Sequence, residues 1–234
     1  MTLRLVPMPS PNFNARPEGQ AAEMLVLHYT GMPDAASALE ILTDGAREKR
    51  VSAHYTLDED GTVYAHVPEA MRAWHAGVSF WRGRDDVNAR SIGIEIVNPG
   101  HEWGYRAFPK RQIDALIVLC RGILARHPIA ARDVVGHSDV APGRKTDPGE
   151  KFPWARLARN GIGLFPRAGE AAVAEDAVAA ALAAIGYGVP GAVDTPLETV
   201  IAAFQRRFRP ARIDGVADAE TRRTLAAVAA TVSR

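Results

Sequence analysis

One segment of the chain limits the possible fold more than any other. Residues 136–154 read GHSDVAPGRKTDPGEKFPW and contain three prolines and three glycines. Proline removes a backbone donor and glycine loosens the chain, so we predict neither helix nor strand here. A loop of this length is usually functional or disordered. Apolar segments before it (113–124) and after it (152–157) indicate that the loop is pinned at both ends.

The chain up to about residue 165 shows strand and helix patterns in alternation. A helix is predicted after Asp34, which is a suitable N-cap, and an amphipathic helix over 113–124. Within 91–98, three isoleucines share one face and Glu95 lies on the other. Strand patterns occur at 24–30, at 52–67 as a hairpin around a DEDG turn, at 91–98 and at 133–137. We therefore predict an α/β fold with a central mixed β-sheet flanked by helices.

A change of composition near residue 167 predicts a second domain. Alanine dominates from Ala171 onward, and three helical patterns follow. The first covers 178–185, the second begins with Thr195 as N-cap and Glu198 closing a capping box, and the third begins at Asp218. We predict a first domain at 1–167 and a small three-helix domain at 168–234.

Charge and hydropathy give no indication of a nucleic-acid partner or of a membrane span. The formal net charge of +1 gives no reason to expect a nucleic acid, and no run of 18 apolar residues could span a membrane.

The N-terminal residues lack the apolar stretch of a secretion signal, so we expect a cytoplasmic protein. A chain trimmed of its signal would look the same and would belong in the periplasm. The single cysteine, Cys120, is expected in the core, and a monomer is favoured.

The loop at 136–154 offers ligands for a metal ion. Catalytic zinc sites use three protein ligands with N, S or O donors and keep one position open. His137 and Asp147 lie in the loop, and His28 at the end of a predicted buried strand is the expected third ligand. The alternative for each histidine taken alone is a hydrogen-bonded structural residue.

Five separated motifs favour the metal interpretation. They are HYT from His28, SAHYTLDEDGTVY at 52–64, AWHAG at 73–77, SIGIEIVN at 91–98, and the loop at 136–154. In this order they resemble the zinc-dependent N-acetylmuramoyl-L-alanine amidases of type 2, the AmpD-like group, over residues 8–165. Peptidoglycan-recognition proteins share that fold, and those with amidase activity usually have a cysteine as third ligand. Asp147 at this position favours the bacterial enzymes.

The resemblance implies a catalytic apparatus. It implies zinc (Zn²⁺) held by His28, His137 and Asp147, with Glu95 as the general base that takes a proton from water and passes it to the leaving amine. Lys145 is implied to stabilise the oxyanion of the tetrahedral intermediate. Without the resemblance, Glu95 is better interpreted as a solvated strand residue and Lys145 as a surface charge.

Further residues in the matching motifs are predicted to contact substrate. His54 and His75 are expected to line the cleft or to support the metal ligands. Trp74, Trp81 and Asn88 are expected to shape a groove for sugar or peptide, and the alternative for both tryptophans is packing in a core or interface. Three histidines match no such motif and are predicted to be structural or on the surface: His66, His101 and His127.

The C-terminal segment resembles the three-helix peptidoglycan-binding domain that often accompanies wall hydrolases. AFQRRF at 203–208 and the pattern DG-x-x-D-x-x-T at 214–221 carry this resemblance. The alternative is a helical cap that stabilises the first domain and binds nothing. Arg206, Arg207 and Arg209 could contact carboxylates of wall peptides, although a solvated basic face is the simpler interpretation.

Three functions follow as hypotheses. The first is hydrolysis of the amide between N-acetylmuramic acid, or its 1,6-anhydro form, and L-alanine of peptidoglycan fragments, in cell-wall turnover or recycling. Its substrate would be peptidoglycan or an anhydro-muropeptide. The second is a recognition protein on the same fold that binds muropeptides without cutting them. The third is a zinc amidase or peptidase that cuts a different bond.

Overall fold

A six-stranded mixed sheet forms the centre of the protein. The computed structural model describes residues 3–232. Its strands are β1 (Leu5–Pro7), β2 (Phe13–Ala15), β3 (Met24–Tyr29), β4 (Tyr55–Leu57), β5 (Val63–Ala65), β6 (Met71–Ala73), β7 (Phe80–Trp81), β8 (Arg84–Asp85), β9 (Ser91–Ile96) and β10 (Val134–Gly136). The large sheet has the order β1-β5-β4-β9-β3-β10, while β2 pairs with β6 and β7 with β8.

The central sheet is parallel except for the predicted hairpin. Strands β4 and β5 are antiparallel, and Thr56 lies opposite Tyr64 across them. Each of the other neighbouring pairs in this sheet is parallel. The predicted α/β class with a mixed sheet is therefore confirmed.

Helices cover the sheet and form the C-terminal part. Within residues 3–232 they are α1 (Ala35–Thr43), α2 (Val87–Arg90), α3 (Gly100–Trp103), α4 (Lys110–Arg126), α5 (His137–Val140), α6 (Trp154–Ala158), α7 (Val178–Ile185), α8 (Leu197–Phe208) and α9 (Ala219–Val232). Asp34 caps α1 as predicted, because its side chain accepts a hydrogen bond from the Ser37 amide at 2.8 Å. None of these helices is long and apolar enough to cross a membrane.

The prediction that 136–154 contains no helix is wrong for its first residues. Helix α5 makes one turn there, in the proline-free stretch before Pro142. The Asp139 carboxylate accepts a hydrogen bond from the Gly136 amide at 2.8 Å, and this bond closes the turn. Residues 141–153 are irregular, as predicted.

The capping box predicted for α8 is also wrong. The helix begins at Leu197, and Pro196 occupies the preceding position without a side-chain cap bond. The predicted box would have needed the helix to start one residue earlier, after Thr195. The third C-terminal helix does follow Asp218, whose side chain accepts from the Thr221 amide at 2.9 Å.

The two faces of the sheet bury different partners. The three isoleucines of β9 lie on one face, as predicted, in a buried cluster that includes Leu25 and Leu27 of β3 and the apolar side of α4. On the other face, Met24 and Val26 belong to a cluster that also holds the buried side chains of α7, α8 and α9. The C-terminal helices thus share a core with the sheet. The boundary at 167/168 stays a prediction.

Candidate active site

The register of the sheet assembles the site. Strands β3 and β9 are paired so that His28 lies beside Glu95. Strand β10 pairs on the other side of β3 with Gly136 opposite Leu27, so His137 follows directly at the end of β10. Because these strands are parallel, their carboxyl ends meet at one edge of the sheet, where α/β proteins place their ligands.

The three predicted metal ligands meet at this edge. His28 Nδ1 lies 2.9 Å from His137 Nδ1 and 3.0 Å from Asp147 Oδ2. The distance from His137 Nδ1 to Asp147 Oδ2 is 3.1 Å, so the three atoms form a triangle. All three residues are buried. The backbone also holds the loop in place, because the Ser138 amide donates to the Asp147 carbonyl at 2.8 Å. The structure therefore brings together the residues that the sequence singled out.

A backbone carbonyl sets the tautomer of His137. Its Nε2 lies 3.0 Å from the Ala76 carbonyl oxygen, which can only accept a hydrogen bond. In the neutral imidazole, the proton is therefore on Nε2 and the lone pair is on Nδ1. That lone pair points at His28 and Asp147.

A chain of three hydrogen bonds sets the tautomer of His28. The Ser91 hydroxyl donates to the Val87 carbonyl at 2.6 Å, so its oxygen accepts from His75 Nε2 at 3.1 Å. Burial and the neighbouring His28 lower the pKa of His75 well below its usual value, so the ring is neutral. Its Nδ1 then accepts from His28 Nε2 at 3.0 Å. The lone pair of His28 is left on Nδ1.

These three donors fit a metal ion. Burial, and secondarily His137, lower the pKa of His28 to about 4, which keeps its imidazole neutral. Two imidazole lone pairs and a carboxylate oxygen therefore converge with no proton to share. A divalent cation such as zinc is the group that such a set binds.

Glu95 lies beside the ligands and is mostly buried. Its Oε1 is 4.0 Å from His28 Nδ1, and its side chain is 14% exposed. Among the described residues, its Oε2 has no hydrogen-bond partner. Burial, and secondarily the charge of Asp147, raise the pKa of Glu95 well above its usual value, and Lys145 opposes the shift. A carboxylate so placed is able to accept a proton from a group bound in the cleft.

Lys145 lies on the wall of the same cleft. Its amide donates to the Ala141 carbonyl at 3.0 Å, which fixes the backbone of the loop. No carboxylate of residues 3–232 forms an ion pair with its ammonium within 4.0 Å. Its charge is therefore free to act on a ligand.

A cleft of about 430 Å³ opens over these residues. Trp74 and His75 line it, in agreement with their predicted position. The indole of Trp74 is partly exposed, and its Nε1 donates to Asn14 Oδ1 at 2.7 Å. Whether Trp74 and His75 contact substrate stays a prediction.

The other predicted substrate contacts are buried and do not line this cleft, although Asn88 lines a neighbouring pocket together with Trp74. His54 is fully buried and accepts from the Gly93 amide, which favours a supporting role. Asn88 is buried and accepts from the amides of His75 and Ala76, so it holds the AWHAG segment. Trp81 is 1% exposed and its ring packs against Tyr187, 5.2 Å between centroids. This position favours the alternative, core packing, for Trp81.

The sequence assigned no functional role to several polar residues of the cleft. Tyr29, His101, Arg144 and Thr146 all line the cleft. Three of them are neighbours in sequence of a predicted ligand or of Lys145, and that adjacency could have identified them. His101 had no such signal, since it reaches the rim through a hydrogen bond between its Nδ1 and the Tyr29 hydroxyl at 2.9 Å.

Two of the three C-terminal arginines form internal ion pairs. Arg207 is buried and contacts Asp139 at 2.9 Å. Arg209 pairs with Asp218 and Glu220 on its own helical part. The solvated basic face proposed for these arginines is therefore wrong for both, because each guanidinium is occupied by carboxylates of the protein.

Comparisons with known proteins agree with this geometry. Residues 18–150 match the N-acetylmuramoyl-L-alanine amidase family, and residues 176–225 match a peptidoglycan binding domain family. The N-acetylmuramoyl-L-alanine amidase AmiD of Escherichia coli (strain K12) is 40% identical over 89% of this chain and 84% of its own length.

Solved structures of two relatives contain peptides of muramic acid. The complex of E. coli AmiD with anhydro-N-acetylmuramic acid-L-Ala-D-γ-Glu-L-Lys superposes with a TM-score of 0.80 at 38% identity, covering 92% of both chains. AMPDH3 from Pseudomonas aeruginosa with anhydromuramic pentapeptide superposes with a TM-score of 0.80 at 37% identity, covering 90% of this chain and 92% of the other.

Proposed function

Because this chain belongs to the N-acetylmuramoyl-L-alanine amidase family, we propose that it is a zinc-dependent amidohydrolase of peptidoglycan fragments. It hydrolyses the amide between the lactyl group of N-acetylmuramic acid, or of its 1,6-anhydro form, and L-alanine. The observation that carries this proposal is the buried triangle of His28, His137 and Asp147 beside Glu95 Oε2, which has no hydrogen-bond partner within residues 3–232.

His28, His137 and Asp147 would hold the zinc ion. When bound, zinc supplies a Lewis acid that polarises the amide carbonyl and makes water a better nucleophile at neutral pH. The three side chains need no protonation change to bind it, because their free lone pairs already converge. The hydrogen bonds to Ala76 and His75 keep these lone pairs in place.

Glu95 moves the proton. Its carboxylate takes one proton from the attacking water and delivers it to the amine of L-alanine as the C–N bond breaks. The raised pKa of Glu95 favours the first of these steps, because it makes the carboxylate a stronger base. The products are a free lactyl carboxylate on the sugar and a peptide with a free amino terminus.

Lys145 stabilises negative charge on the carbonyl oxygen of the tetrahedral intermediate. Lys145 lines the cleft two residues before Asp147 in the chain, and no carboxylate of residues 3–232 pairs with its ammonium. Removal of a donor of this kind typically lowers the rate by about 10²-fold to 10³-fold.

The substrate is proposed to be a soluble anhydro-muropeptide. The support comes from the two relatives, whose solved structures contain anhydromuramyl peptides. A cytoplasmic location stays a prediction that cell fractionation would test. The 168–234 part is proposed as a second domain, and its binding to wall polymer is open to a pull-down with sacculi.

One assay separates the three functional hypotheses. Anhydro-N-acetylmuramyl tripeptide is incubated with zinc-loaded protein, and the products are identified by mass spectrometry. We expect anhydro-N-acetylmuramic acid and an intact L-alanyl peptide. Binding without products would favour the recognition protein, and cleavage within the peptide would favour a different hydrolase.

The matched control replaces the proposed base. Glu95→Gln keeps the size of the side chain but cannot accept the proton, so we expect turnover to fall by about 10²-fold to 10⁴-fold. Glu48→Gln changes an exposed glutamate outside the cleft and should leave turnover unchanged. Full activity of the Glu95 variant would refute its role as base.

A further inference from the structure

We infer that Arg207 and Tyr187 position the metal ligands through Asp139. Both residues belong to residues 168–234, here called the helical part. Their role is distinct from wall binding, because both side chains point into the first part of the protein. This inference rests on the proposed function only in taking His137 and Asp147 as zinc ligands. Arg207 belongs to the AFQRRF segment that, in the sequence, pointed to peptidoglycan.

Asp139 makes one of the buried contacts between the two parts. It is 1% exposed and lies two residues after His137 on α5. Its Oδ1 accepts from the Tyr187 hydroxyl at 2.6 Å, and its Oδ2 accepts from Arg207 Nη1 at 2.9 Å. The same Oδ2 accepts from the Gly136 amide at 2.8 Å. Both oxygens of this carboxylate are thus occupied, two of the three donors coming from the helical part.

Packing and a further hydrogen bond hold the Arg207 side chain in place for this contact. Its guanidinium carbon lies 4.1 Å from the centroid of the Trp154 ring and 4.7 Å from that of Phe208. Its side chain is 4% exposed, and Nη2 donates to the Leu164 carbonyl at 3.3 Å. The planar guanidinium lies over these two rings, so its N–H donors point in fixed directions. Arginine is therefore better suited to this position than lysine.

The turn that Asp139 closes contains one loop ligand, His137, and is hydrogen-bonded to the backbone of the other, Asp147. His137 lies between Gly136 and Asp139, inside the hydrogen-bonded turn. Ser138, in the same turn, donates its amide to the Asp147 carbonyl at 2.8 Å. A shift of Asp139 would therefore move one ligand directly and the other through the backbone. Both ligands need positions set to within a fraction of an ångström for tight zinc binding.

The first test removes a single hydrogen bond. Tyr187→Phe keeps the ring that packs on Trp81 but loses the hydroxyl that donates to Asp139. Its matched control is Tyr55→Phe, which loses the same kind of bond to Glu69, at 2.8 Å and away from the metal ligands. Zinc affinity of each folded apo-protein is measured by competition with a chelator. We expect binding on the order of 10-fold weaker for Tyr187→Phe only.

The second test removes the charge. Arg207→Met should weaken zinc binding by about 10-fold to 100-fold, with Arg207→Lys restoring part of the loss. Arg209→Met is the control, since it breaks ion pairs of the same kind inside the helical part. The visible absorption of the cobalt-substituted proteins reports ligand geometry and should change for the Arg207 variants alone.

The outcomes separate this inference from the proposed function. Equal zinc affinity and equal cobalt spectra in all folded variants would overturn the positioning role and leave the helical part as a structural cap. Failure of the unmutated chain to bind zinc would overturn both the inference and the proposed function. Weaker zinc binding for Tyr187→Phe with Tyr55→Phe unchanged would support the inference even if the amidase assay failed.

Discussion

At the scale of the residue, the candidate metal site depends on hydrogen bonds that end at backbone carbonyls. A carbonyl accepts and never donates, so each chain of hydrogen bonds that ends on one has a fixed direction. The Ala76 carbonyl fixes His137, and the Val87 carbonyl fixes His28 through Ser91 and His75. The lone pairs are therefore preorganised before a metal arrives.

Ser91→Ala should weaken zinc binding without changing a ligand. The substitution removes the oxygen that accepts from His75 Nε2, so His75 no longer has a fixed tautomer and neither has His28. We expect zinc affinity to fall by about 10-fold, measured by chelator competition. Ser10→Ala, which loses a comparable buried hydroxyl that donates to the Leu42 carbonyl, is the control. Equal zinc affinity in both variants would contradict this tautomer argument.

At the scale of the element, Gly93 lets strand β9 pass close to His75. A Cβ on Gly93 would lie 2.4 Å from the Cγ of the His75 ring. Gly122 in helix α4 is different, because there the nearest atom is the end of the Arg126 side chain, at 3.2 Å. The same substitution should therefore have opposite effects at these two positions.

Gly93→Ala should lower the free energy of unfolding by about 1–3 kcal/mol, because a buried ring must move. Gly122→Ala should raise it by about 0.5–1 kcal/mol, because alanine loses less entropy in a helix interior. Urea unfolding followed by circular dichroism measures both. A stable Gly93→Ala protein with unchanged zinc affinity would show that the close approach is unimportant.

Glu69 joins the end of α4 to strand β4 of the central sheet. It lies 2.7 Å from both Arg126 Nη2 and His127 Nε2, and it accepts from the Tyr55 hydroxyl at 2.8 Å. Burial alone would raise the pKa of Glu69, but these donors outweigh it and lower the pKa to about 2. The carboxylate is thus more stable in the folded state than in the unfolded chain.

This shift predicts a pH dependence of stability. Because the pKa of Glu69 is lower in the folded than in the unfolded protein, its ionised carboxylate stabilises the fold above pH 4.5. This stabilisation is lost as the pH falls from 4.5 toward about 2. Glu69→Gln should therefore be less stable than the unmutated protein at pH 7, with the difference narrowing below pH 4.5. The difference in stability is measured as the difference between the urea midpoints of the two proteins over a pH series. If that difference did not change with pH, the charge of Glu69 would be irrelevant to stability.

At the scale of the whole molecule, the C-terminal helices complete the core on one face of the sheet. Met24 and Val26 on that face share a buried cluster with Leu182 of α7 and Phe204 of α8. His28 lies on the same face of β3, two residues beyond Val26. The helical part therefore covers the sheet beside the candidate site and contributes to its support.

A shared core predicts a single unfolding transition. Leu182→Ala in α7 and Leu116→Ala in α4 remove side chains that are both at most 1% exposed. Each should lower the free energy of unfolding by about 2–5 kcal/mol and shift the same calorimetric transition. Two separate transitions, with Leu182→Ala moving only one of them, would show that the parts unfold independently.

The sequence by itself determined the longer elements and the ligand types. Periodicity is local, so the isoleucine face of β9, the hairpin and the long helix α4 could be predicted from neighbouring residues. The metal group could be predicted because its ligands lie in motifs that resemble a known family. Strand order and register were beyond this reasoning, since they depend on pairing between distant segments.

Only the tertiary structure decided what each side chain contacts. The sequence predicts Trp81 in a groove and Arg207 on the surface. Both lie buried between the two parts of the protein. His101 and Tyr29 reach the cleft together from positions 72 residues apart. The physical reason is that burial and ion pairing are set by surfaces that meet only when the chain has folded, and a linear pattern carries no record of them.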